Sequence, residues 1–101
     1  MRVDITGRSL DRLEESLRFY LEELDLPLEK VLALKDQLIR QASSLSNNPY
    51  KGQLEPYLSK LQNGHRRIIA GNFKIIYKIQ DDIVYITDFF DSRKDPTGMK
   101  V

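Results

Sequence analysis

The chain has 101 residues, 41% hydrophobic and 31% charged, with a formal net charge of +1 and no cysteine. That length admits one globular domain with a modest core, stable by about 5–10 kcal/mol, and the lack of cysteine excludes disulfides and thiolate metal sites. No apolar run approaches the ~18 residues of a membrane span, and Arg2, Asp4, Arg8, Asp11 and Arg12 interrupt anything resembling a leader peptide, so a cytoplasmic protein is expected.

Residues 3–6 alternate apolar and polar side chains, which predicts a short half-buried strand ended by Gly7. Ser9 is placed to cap a helix, with Asp11 and Glu14 in its first turn. Leu10, Leu13, Leu17, Tyr20, Leu21 and Leu24 then recur at helical spacing. Asp25 and Pro27 break the pattern, and Leu28, Val31, Leu32, Leu38, Ile39, Ala42 and Leu45 form the stripe of a second helix. The connection is only a few residues, which predicts an antiparallel helical hairpin.

Ser46-Asn47-Asn48-Pro49 stops the second helix, because a residue before proline is pushed out of the helical region. Pro56–Leu61 suits one short helical turn, and Asn63-Gly64 a turn. Three strands follow. Arg66–Ala70 leads through Gly71-Asn72 into Phe73–Gln80, and Asp81-Asp82 leads into residues 83–90, rich in β-branched and aromatic side chains. Residues 92–101 read as irregular. The order predicts an α+β fold: an N-terminal strand and a helical hairpin packed on one face of a small, mostly antiparallel sheet.

Charge is uneven along the chain. Residues 1–40 carry nine acids and seven bases, residues 41–101 six acids and nine bases, and residues 56–80 carry no acid at all. A basic sheet suggests an anionic partner, and it equally suits a strand edge defended by Lys and Arg against aggregation.

Strand periodicity assigns the faces. Phe73, Ile75, Tyr77 and Ile79 point to the helices, leaving Lys74, Ile76 and Lys78 on the other, open face. With a two-residue Asp81-Asp82 loop, Lys78 lies opposite Tyr85, Ile76 opposite Thr87 and Lys74 opposite Phe89. The same parity carries Asp91 and Arg93 to the open face. A two-residue Gly71-Asn72 turn adds Arg67 and His65, whereas a loop one residue longer exchanges Arg67 for Arg66. Asp88 then points towards the helices, an awkward place for an acid, and is expected near the sheet margin. Asp81-Asp82 has no neighbouring histidine and reads as turn chemistry, so no metal site or cofactor is expected.

Gly64-His65-Arg66-Arg67-Ile68-Ile69, Gly71-Asn72-Phe73-Lys74-Ile75-Ile76-Tyr77-Lys78-Ile79, Val84-Tyr85-Ile86 and Asp91-Ser92-Arg93-Lys94-Asp95-Pro96, preceded by Asn48-Pro49 and Gly52, resemble the C-terminal half of the RelE/ParE toxin superfamily. The resemblance implies the toxin of a type II toxin–antitoxin module of the plasmid-stabilisation kind. Such a toxin is neutralised by a cognate antitoxin and touches operator DNA only within the toxin–antitoxin complex. It implies two activities: metal-independent cleavage of mRNA on the ribosome, or growth inhibition by binding DNA gyrase without catalysis.

Carried over by motif, His65, Arg67, Lys74 and Arg93 match the phosphate-contact positions of the nuclease branch. Arg67, Lys74, Lys78, Tyr85, Phe89 and Arg93 are the expected partner-binding set. His65 is either a general base or a solvated turn residue. No histidine or tyrosine follows Tyr85, where the nuclease branch places one, and Asp95-Pro96 closes the motif as in the ParE-like branch. The ParE-like reading is therefore preferred, with the ribonuclease and an inert antitoxin-binding member as alternatives.

Overall fold

The computed structural model describes all 101 residues. Strand β1 (Arg2–Ile5) leads into helices α1 (Gly7–Glu22) and α2 (Leu28–Ser43). Strands β2 (Gln53–Leu54), β3 (Arg66–Ala70), β4 (Phe73–Gln80) and β5 (Ile83–Asp91) follow, in a five-stranded sheet of order β1-β5-β4-β3-β2. All pairings are antiparallel except β1 with β5. The expected α+β architecture is therefore the observed one. The two-residue strand β2 was not foreseen.

The helices begin differently from expectation. Thr6, not Ser9, caps α1, its hydroxyl accepting the Ser9 amide at 3.2 Å. Ser9 is instead buried and donates its hydroxyl to the Thr6 carbonyl at 2.7 Å. Asp11 and Glu14 accordingly lie beyond the first turn, which holds no acid. Pro27 precedes α2 and fixes an extended entry to it.

Fifteen buried residues form the core between helices and sheet, among them Leu13, Leu17 and Tyr20 from α1, Val31, Leu38 and Ala42 from α2, and Phe73, Ile75 and Tyr77 from β4. The β4 row expected under the helices is there, with Ile79 partly buried against it. Tyr77 anchors the sheet to the segment before β2: its hydroxyl donates to the Pro49 carbonyl at 2.8 Å and accepts the Gly52 amide at 2.9 Å. A Cβ on Gly52 would lie 2.5 Å from the Arg67 carbonyl oxygen, so only glycine allows this approach.

Both hairpin loops have two residues, with Ala70 paired to Phe73 and Gln80 to Ile83. Asp81 and Asp82 both adopt positive φ, 53° and 60°, the backbone of a tight primed turn. Lys78 faces Tyr85 as expected. Beyond that point β5 departs from simple alternation: Tyr77 pairs with Ile86 but Ile76 with Asp88, so Thr87 is an extra residue in a β-bulge. Every later side chain changes face.

Phe89, expected on the open face, is 1% exposed in the main core, and Phe90 takes its place opposite Lys74. Asp91 and Arg93 move to the helical side. Asp88 lies just past the residues of β5 that β1 covers, Ile83 to Ile86, and so at the sheet margin, but the bulge turns it away from the helices, opposite Ile76, where it is fully buried.

The face opposite the helices is not open. The 3₁₀ segment Pro56–Leu61 and the end of the chain lie across it, and Leu58, Ile76, Phe90 and Met99 form a second, smaller core. Ile76, expected to be exposed, is fully buried.

Candidate partner-binding surfaces

Strand β3 and the segment before it place the first charged cluster. Glu55 caps the 3₁₀ segment, its Oε1 accepting the Tyr57 amide at 3.2 Å. Its amide donates to the His65 carbonyl at 2.9 Å, which turns the carboxylate inward over the sheet, where the residue is 1% exposed. There Glu55 Oε2 lies 3.3 Å from Lys74 Nζ and 3.5 Å from Arg67 Nε. Arg67 also donates to the Leu54 carbonyl at 2.7 Å, and Lys74 sits over the Tyr57 ring. Two of the expected phosphate contacts are thus bound to one buried carboxylate, a charge-assisted arrangement that removal of either partner would unbalance.

His65 is 3% exposed, and neither ring nitrogen has a hydrogen-bond partner. Burial, and then the nearby Lys78 ammonium, lower its pKa below the usual histidine value. The imidazole is held neutral, and it is not the solvated turn residue that its place beside Gly64 suggested.

Arg93 lies on the other side of the sheet. It donates from Nε to Asp91 Oδ1 at 3.0 Å and from Nη2 to Asp91 Oδ2 at 2.8 Å, and its guanidinium stacks on the Tyr20 ring and touches the Tyr20 hydroxyl. Tyr20 in turn donates to Asp91 Oδ2 at 2.7 Å. Burial alone would raise the Asp91 pKa, but hydrogen bonds from Arg93 and Tyr20 outweigh it and hold the carboxyl down at about 2. Burial first, and then Asp91, push the Tyr20 phenol up to about 12. This cluster pins α1 to the end of β5.

Lys78 and Tyr85 share the remaining surface. With Thr6, Arg8, Gln80, Thr87 and Val101 they line a groove of about 280 Å³ on the face away from the helices. The expected set is therefore divided. Arg67, Lys74, Lys78, Tyr85 and His65 share one face, Arg93 lies on the other, and Phe89 is inside.

Two further charged residues matter and were missed, Glu55 and Arg12, while Asp91 and Asp88 were each expected on the opposite face. Glu55 stands one residue before the acid-free window, and that position was the available signal. Asp91 was placed on the wrong face only because the bulge leaves no mark in hydropathy. Arg12 Nε donates to Asp88 Oδ1 at 3.2 Å, a pairing across 76 positions that no local pattern encodes.

A family model described as the ParE toxin of the type II toxin–antitoxin system parDE matches residues 3–96. No curated protein matches the chain.

Proposed function

The chain belongs to the ParE toxin family of type II toxin–antitoxin systems, and from that premise we propose that it arrests growth in the cytoplasm by binding DNA gyrase rather than by cutting RNA. As a type II toxin it has a protein antitoxin as partner. Cleavage of RNA at a phosphate without a metal needs cations converging on one point, and a proton-transfer group within about 3 Å of it. The observation that carries the binding reading is the engagement of Arg67 and Lys74 with Glu55. Arg93 lies across the sheet on Asp91, and His65 is enclosed, so the four nuclease-type positions do not converge. Lys78 and Tyr85, beside Arg67 and Lys74, are the residues we assign to partner contact on that face.

Purified chain incubated with gyrase and supercoiled plasmid should accumulate cleaved DNA complexes, and Lys78→Glu should weaken the effect. Programmed ribosomes given the same protein should show no new mRNA ends. A toxin-dependent cut abolished by His65→Ala would overturn the gyrase reading.

A further inference from the structure

The end of the chain crosses the sheet face as a strap held mainly through its main chain. Arg12 Nη2 donates to the Gly98 carbonyl at 3.0 Å, and the Lys100 amide donates to Asp88 Oδ2 at 2.9 Å. Thr87 Oγ1 donates to the Lys100 carbonyl at 3.2 Å, and Arg8 Nη2 to the Val101 carbonyl at 2.7 Å. One side chain anchors it: Met99, 7% exposed, packs with Leu58, Ile76 and Phe90.

Every group that receives the strap belongs to the stretch shared with the family, residues 3–96, whereas residues 97–101 lie outside it. Main-chain hydrogen bonds and one apolar pocket are also the means by which proteins hold extended peptides, and such contacts accept many sequences. Asp88 is fully buried and loses a donor when Lys100 leaves, so an empty face is costly and an exchanged one is not. Beside the strap, the side chains of the groove include two cations, Arg8 and Lys78, and no carboxylate.

We propose that this face is a docking groove for an extended segment of a partner protein, which residues 97–101 occupy in cis until the partner exchanges with them. The partner segment carries an aliphatic or thioether side chain in the Met99 pocket, followed by an acidic residue over Arg8 and Lys78. The assignment is independent of the gyrase reading, because it depends only on how the strap is held.

A tethered strap competes at a high effective concentration, so weakening it should admit a free peptide. The probe is a fluorescent peptide Asp-Pro-Thr-Gly-Met-Lys-Val, titrated by anisotropy into full-length wild type and Met99→Ser. The variant should bind it at least tenfold more tightly than wild type, and a Met99→Ser version of the peptide should bind neither. A Val101→Glu version should bind the variant more tightly at low salt, and lose that gain when salt screens the groove. Equal affinity of the two proteins for the probe, or equal binding of both peptides, would overturn the proposal. Should Met99→Ser fail to fold, hydrogen exchange at the Lys100 amide of wild type decides. Exchange insensitive to low denaturant marks a strap that opens by itself, and exchange only through global unfolding marks a fixed part of the core and ends the proposal.

Discussion

The two faces of the sheet are closed by different means. One lies under α1 and α2, whose side chains build a core of 15 buried residues with β3, β4 and β5. The other lies under a 3₁₀ segment and a strap, which with two sheet residues make a core of four. The first draws on many residues of both helices, and the second depends on single side chains delivered from distant points in the chain. The helical face should therefore be the more firmly packed of the two.

Adjacent residues of β4 test this most sharply, because Ile75 and Ile76 are both fully buried but point to opposite faces. Ile75→Ala should cost about 3–4 kcal/mol, since the helices above it are fixed by many other contacts and leave a cavity. Ile76→Ala should cost roughly half as much, because Leu58 and Met99 can settle into the space. Chemical denaturation of both variants measures the difference, and equal losses would mean that the strap face is packed as firmly as the helical one.

The same contrast explains what the sequence made legible. Period-2 and helical spacing announced the helical face because many residues repeat the pattern, so errors at Ser9 or in the helix ends did not disturb it. The second face has no such repetition. Leu58 and Met99 are lone apolar residues in polar stretches, and nothing local says that they meet Ile76 and Phe90. A single extra residue at Thr87 was enough to invert the assignments of Asp88, Phe89, Asp91 and Arg93. Of the candidate site, the parity of β4 and the tight turns placed Arg67, Lys74, Lys78 and Tyr85 on one face. The carboxylate that binds two of them was marked only by its place one residue before the acid-free window, because pairing with Glu55 is a tertiary event.

A second, smaller effect distinguishes the faces by their response to acid and alkali. Asp91, holding α1 to β5, has its pKa near 2 in the folded chain, below the ordinary 3.8. Its contribution is therefore complete above about pH 4 and lost as the pH falls through 2. With Arg93 half-exposed and screened, the loss should be about 1–2 kcal/mol. Tyr20 behaves in the opposite sense: its pKa is raised from 10.0 to about 12, so its contribution is complete below pH 10 and fades as the pH climbs through 12. Asp91→Asn should flatten the acid limb of a stability–pH curve and Tyr20→Phe the alkaline limb. A wild-type acid limb unchanged in Asp91→Asn would show that Asp91 does not pin the helix.

The smallest effect belongs to the strap side of the sheet, at His65. The folded chain encloses its imidazole without a partner and lowers its pKa, while the unfolded chain restores the ordinary value of 6.5. Below that value the unfolded chain takes up a proton that the folded chain resists, so stability must fall as the pH drops through 6.5 and below. The loss begins well before Asp91 titrates, and His65 is tied to the cover of this face through the Glu55 amide. The segment from β2 through Leu61 should therefore loosen first, while the helical core stays closed. Replacing His65 with leucine removes the titrating group and leaves no unpaired nitrogen behind, so the variant should hold its stability across this interval. Amide exchange at Glu55, followed at several pH values in wild type and in His65→Leu, reads the event locally. Faster exchange on acidification in wild type alone is the expected result. Equal pH dependence in both proteins would mean that the cover of this face opens for a reason unrelated to His65.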